Sequence, residues 1–173
     1  MYFQKIKIAD PVWNLETIDI PEAGLRLYEK HFTNVEDIIP SGLLEKFKSI
    51  NMLPEYIRLF VWPVNHCGIW HIDGTVDTYR YSAINWILQG SGLIQFNNSI
   101  QLHRIPGVHL GKASTLAETA EAETSGHGYV INTSACHRVI TGRDGRTTIS
   151  IGWKNKDTPF SAMLEKLRLI NIV

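Results

Sequence analysis

Residues Trp70-His71-Ile72-Asp73-Gly74 set an imidazole and a carboxylate two positions apart. In an extended strand, residues two apart project from the same face, so His71 and Asp73 can aim at one point. A nitrogen and an oxygen donor held together supply two adjacent ligands for a divalent metal, and Gly74 lets the chain turn sharply behind them. One more histidine completes a 2-His-1-carboxylate facial triad, the set that leaves open positions on iron. His137, in Asn132-Thr133-Ser134-Ala135-Cys136-His137-Arg138-Val139, stands at the entrance to a strand and is the candidate. Each residue alone has a plainer reading. The pair could be a surface carboxylate beside a structural histidine, and His137 a satisfied core residue.

Arg146 follows His137 by nine residues and opens the last strand candidate. A buried guanidinium fork suits the far carboxylate of a dicarboxylate such as 2-oxoglutarate, because two parallel charge-assisted bonds fix its position. Thr148, two residues on, faces the same way and can add a hydroxyl. Arg146 in a solvated hairpin is the alternative. Arg143 rivals it by spacing, but its place in Gly142-Arg143-Asp144-Gly145 points to exposure. Asn85 lies in the otherwise apolar run Ala83–Leu88. A buried amide needs partners, and both the metal-proximal carboxylate of 2-oxoglutarate and neighbouring backbone would serve. Tyr79, Arg80 and Tyr81 read as exposed loop residues, with a lid as the alternative. Cys136 points away from its neighbour His137 and reads as a small core hydrophobe.

The order His-x-Asp, strands, His, a short hairpin, then Arg opening a strand resembles that of the 2-oxoglutarate- and Fe(II)-dependent oxygenases of the double-stranded β-helix fold. The resemblance runs from about Leu59 to Trp153. Trp70–Gly74, Ser82-Ala83-Ile84-Asn85-Trp86 and Ile131–Val139 are most similar to the small prolyl-hydroxylase-like and aspartyl/asparaginyl-hydroxylase-like proteins of bacteria and phages. It implies Fe(II), 2-oxoglutarate and O2, with His71, Asp73 and His137 as metal ligands and Arg146 gripping the co-substrate. The substrate it implies is a protein side chain, while the modest size of the chain suits a small molecule equally. Two other readings stay open: a cupin-like metal enzyme that does not use 2-oxoglutarate, and a non-catalytic jelly-roll module in which the triad is coincidental.

The elements that must position these residues are short and β-rich from Tyr56 onward. Strand candidates are Ile57–Val61, Gly68–Ile72, Ser82–Leu88, Leu93–Phe96, Ile100–Ile105, Tyr129–Asn132, Arg138–Thr141 and Arg146–Trp153. The stretches Gln89–Gly92 and Gly142–Gly145 read as tight turns. Before them, Pro21–His31 and Ser41–Ile50 carry apolar residues at helical spacing, and Ser41 is a candidate N-cap. After Pro159, the residues Phe160, Met163, Leu164, Leu167 and Ile170 mark an amphipathic helix. The expected fold is mainly β, a double-stranded β-helix of jelly-roll or cupin-like type with flanking helices in the N-terminal region and at the C-terminus. One domain is expected, with residues 1–55 as a mixed α/β lead-in, 56–153 as the β-helix core and 159–171 as the C-terminal helix.

Composition excludes little and fits this reading. At 173 residues the chain can bury a core of its own. Basic and acidic residues balance at 17 each, which gives no field to attract nucleic acid or an anionic membrane. No apolar run reaches the roughly 20 residues that span a bilayer, and the N-terminus lacks the apolar core of a signal peptide. Two cysteines make no disulfide framework, so a cytoplasmic setting is expected. Oligomeric state is left open.

Overall fold

A computed structural model describes residues 2–7, 11, 13–16, 18–22, 24, 26–73, 81–97, 102–105, 108–111, 119–154 and 158–173, with backbone alone at 102–105, 108–111 and 119–122. In chain order the elements are β1 (Phe3–Lys5), β2 (Tyr28–Phe32), α1 (Ser41–Ser49), β3 (Pro54–Trp62), β4 (Ala83–Phe96), β5 (Leu102–Ile105), β6 (Val108–Gly111), β7 (Thr119–Thr124), β8 (His127–Ile131), β9 (His137–Trp153) and α2 (Phe160–Leu169). Strands β5 and β6 form a separate antiparallel pair.

Two long strands organise everything else. The first half of β4 lies between β8 and the second half of β9, and β3 flanks β9 beyond. The second half of β4 lies between β7 and the first half of β9. Beyond that half of β9 runs the segment 67–71, joined to it by bridges at Cys67↔Ile140 and His71↔His137. All of these pairings are antiparallel. The result is two four-membered layers that share β4 and β9, with residues of both lining one cavity. That is a double-stranded β-helix. Strands β1 and β2 extend the first layer at its two edges.

Both long strands cross between layers at glycine. Gly90 and Gly145 sit at φ +75° and +65°, where a side chain would be strained. The register of β4 against β9 shifts on either side of Gln89–Gly90, as extra residues in a ladder do when they bend a strand. A Cβ on Gly90 would lie 2.1 Å from the Gly145 carbonyl oxygen. The expected turns at Gln89–Gly92 and Gly142–Gly145 are therefore bends within continuous strands: Gln89–Gly92 keep ladder partners, whereas 142–145 have none and bulge out between the paired Thr141 and Arg146.

Alternation along each strand sorts residues between two environments. Ile57, Leu59, Ile84, Trp86, Val130, Ile149 and Ile151 point outward from the first layer. There they pack under Leu43, Leu44 and Phe47 of α1 and Met163, Leu164 and Leu167 of α2. Fully burying each such side chain contributes about 1.5–3 kcal/mol. The inward positions include a smaller cluster of Ile87, Ile94, Phe96, Tyr129 and Ile131.

Three further expectations change. No helix forms among the described residues of 21–31, because Tyr28–Phe32 pairs with β3 instead. The pairing satisfies the backbone donors and acceptors that β3 would otherwise leave at an edge, and this overrides a helical spacing. Ser41 is the first helical residue and not the cap. Pro40 holds that position, and its carbonyl accepts from the Leu43 and Leu44 amides. Gly68–Ile72 is not a continuous strand, since the segment pairs with β9 at the isolated bridges Cys67↔Ile140 and His71↔His137.

Candidate metal site and its cavity

The ligand strand is held in place from its outer side. Trp70 and Cys136 are buried together, with Ile72 packed against them. The Arg138 guanidinium lies 4.4 Å from the Trp70 ring centre and its Nε donates to Gln95 Oε1 at 2.8 Å. With 70, 72, 136 and 138 turned outward, alternation turns His71, Asp73 and His137 toward the interior. Reciprocal backbone bonds join His71 and His137, N–H to O=C, at 2.9 and 2.8 Å. The Asp73 amide donates to the Thr133 carbonyl at 3.1 Å.

The three side chains converge. His71 Nε2 lies 3.5 Å and His137 Nε2 3.7 Å from Asp73 Oδ1, and the ligand atoms of all three fall within 4.8 Å of one another. Each imidazole turns Nδ1 to a backbone carbonyl, His71 to Ile69 at 3.0 Å and His137 to Ala135 at 2.9 Å. These bonds put the ring proton on Nδ1 and the lone pair on Nε2, as metal-ligating histidines require. Donors each about 2.1 Å from one ion stand roughly 3–4 Å apart, so the set fits a divalent metal. Two imidazoles and one carboxylate suit iron with positions to spare.

The triad lines a cavity of about 420 Å3, counting the part open to solvent. Phe60, Trp62, Asn85, Arg146, Thr148 and Ser150 come to it from the first layer, and Ile94 and Val139 from the second. Arg146 is buried to 1% exposure, whereas Arg143 is exposed. Arg146 Nε donates to Thr148 Oγ1 at 2.7 Å, and its Nη1 pairs with the Glu123 carboxylate. Glu123, on β7, is completely buried. Burial pushes the Glu123 carboxyl above the ordinary carboxylate range and outweighs Arg146, which draws it down. Asn85 Oδ1, Ser150 Oγ and Glu123 Oε1 are buried with no hydrogen-bond partner. Asn85 and Ser150 are direct cross-strand partners, so their polar groups form one unsatisfied patch in the wall.

All six residues singled out from the sequence thus line one cavity: His71, Asp73 and His137 as a cluster, and Asn85, Arg146 and Thr148 on the opposing layer. Tyr81 is exposed, while Gly74, Tyr79 and Arg80 lie outside the described residues. Glu123 and Ser150 were not foreseen. The Thr-Ala-Glu-Ala-Glu-Thr run at 119–124 does alternate, but its β-branched residues are only the two end threonines, and alanine and glutamate between them do not mark a strand.

No protein-family model matches the chain, and no curated protein matches it. Among solved structures, a cupin superfamily protein from Desulfitobacterium hafniense DCB-2 aligns over 78% of this chain and 83% of its own, with 11% identity and a TM-score of 0.44. The E. coli protein ycfD aligns over 73% of this chain with 12% identity and a TM-score of 0.48. The match spans about a third, 34%, of the ycfD chain. The strand pairing, rather than either likeness, makes this chain a jelly roll. No helix among the described residues is long and apolar enough to cross a membrane.

Proposed function

We propose that this protein is an Fe(II)- and 2-oxoglutarate-dependent oxygenase acting on a protein side chain or a small molecule. The observation that carries the reading is the convergence of His71, Asp73 and His137 in a cavity whose other layer presents a buried arginine. When bound, iron with 2-oxoglutarate and O2 would supply the oxidising chemistry, with succinate and CO2 released. His71, Asp73 and His137 would hold the metal on one side of its coordination sphere. Arg146 would orient the far carboxylate of 2-oxoglutarate, with Thr148 fixing the guanidinium plane. Ser150 would donate its hydroxyl to a ligand oxygen, which gives a use to a polar group otherwise left unsatisfied, and Asn85 beside it would turn Nδ2 to the ligand while Oδ1 can only accept. Phe60, Trp62, Ile94 and Val139 would keep water from the reacting atoms.

The test is succinate formation from 2-oxoglutarate by purified protein supplied with Fe(II). Activity that needs Fe(II) and disappears in His71→Ala is expected. Purified protein that binds metal but no 2-oxoglutarate would rule the reading out. One observation favours a second reading, a cupin-like metal enzyme without the co-substrate: Arg146 already has a carboxylate partner in Glu123. That reading expects Arg146→Lys to leave metal-dependent activity intact.

A further inference from the structure

Glu123, buried against Arg146, has no part in the chemistry above, and it raises a charge problem. Asp73 brings one negative charge, a divalent metal two positive, 2-oxoglutarate two negative and Arg146 one positive, which cancel. An ionised Glu123 leaves the filled site one negative charge over, in a place where Glu123 is fully buried and Arg146 nearly so. An uncompensated buried charge is expensive, and a buried acid escapes that cost by taking a proton.

We propose that Glu123 is a specificity-determining residue for this cavity: it neutralises Arg146 when no ligand is present, and a carboxylate ligand binds at Arg146 only as Glu123 takes up a proton. The proposal rests on the oxygenase reading. The geometry favours Glu123 for the role. On β9, Arg146 faces it. On β8, the nearby titratable group is Tyr129, whose hydroxyl accepts from the Thr124 amide at 3.0 Å. On β4 its cross-strand partner is Gly92, which has no side chain. Arg146 is thus the one cation given to Glu123 among the described residues, and a ligand carboxylate competes for it directly. Its second carboxylate oxygen, Oε1, is buried without a partner, as fits a group that carries a proton in one of its two states. The raised titration of Glu123 runs in the same direction.

Binding coupled to uptake of one proton weakens about tenfold for each pH unit above the range where free Glu123 ionises. The same dependence serves as a filter. Ligands with a carboxylate at the Arg146 end carry it, and ligands without one do not.

The experiment is titration calorimetry of Mn(II)-loaded protein with 2-oxoglutarate and with 2-oxobutyrate, in buffers of different ionisation enthalpy. The two probes share the 2-oxo acid end, so proton changes at the metal cancel in the comparison. About one more proton taken up with 2-oxoglutarate is expected. In Glu123→Gln, which keeps an acceptor for Arg146, the excess should vanish and the tenfold-per-unit pH dependence with it. Equal uptake for the two probes in the unaltered protein would overturn the proposal while leaving the oxygenase reading standing, since 2-oxoglutarate has bound. An excess that persists in a folded Glu123→Gln protein would also overturn it. Failure of 2-oxoglutarate to bind metal-loaded protein would remove the oxygenase reading, and the proposal with it.

Discussion

Glu123 and Cys136 are both buried beside the site, and burial has different consequences for the two. Breaking a buried ion pair by removing one partner costs about 3–5 kcal/mol, because the other charge stays behind unpaired. Glu123→Ala is therefore expected to destabilise the fold by about that amount, read as a lowered urea midpoint at unchanged slope. Cys136 is a thiol that burial pushes up to about 11. Thiolate is the reactive form, so at pH 8 a thiol reagent should label one cysteine per folded chain quickly. That one is the exposed Cys67, and Cys136 should react only on unfolding. Rapid labelling of both would mean that the Trp70–Cys136 packing behind the ligand strand is open.

At the scale of elements, the bends at Gly90 and Gly145 decide where Arg146 sits. Arg146 directly follows Gly145 and lies opposite Gly90 in the ladder, so the crossing of the two strands delivers its side chain to the cavity. Gly90→Ala would put a methyl group against the Gly145 carbonyl in a backbone conformation that alanine resists. A loss of at least about 2 kcal/mol is expected, with weaker binding of any carboxylate ligand, both readable by thermal shift with and without ligand. These bends also explain what the sequence could and could not reveal. Gly-rich stretches at 89–92 and 142–145 look like hairpin turns, and nothing local distinguishes a turn from a bend inside a long strand. Ile57–Val61 and the α2 face were legible because their periodicity follows from burial on one side. Strands β2 and β7 were not, since their pairing comes from neighbours distant in sequence. The triad was legible for a simple reason: a two-residue spacing in a strand already fixes a shared face, and His137 needed only a partner. Glu123 was hidden because its importance comes entirely from Arg146, 23 residues away.

For the whole molecule, core and cavity lie on opposite sides of the first layer. Phe47 is fully buried in the outer cluster, edge-on to Trp153 at 5.1 Å between ring centres. Phe47→Ala should cost about 3–5 kcal/mol through the cavity it leaves. Metal affinity, measured by calorimetry below the lowered melting temperature, should be unchanged. A parallel loss of metal binding would show that the outer core reaches through the layer to the ligands.

Because β4 and β9 belong to both layers at once, neither layer can open while the other stays shut. Parting the cavity walls would mean breaking the ladder between the two longest strands, an event with nearly the free energy of global unfolding. The walls built by β4 and β9 thereby behave as a fixed mould, whereas the segment carrying His71 is tied to β9 by isolated bridges. What enters is selected by the shape and charge already present, with little left for the protein to adjust on arrival.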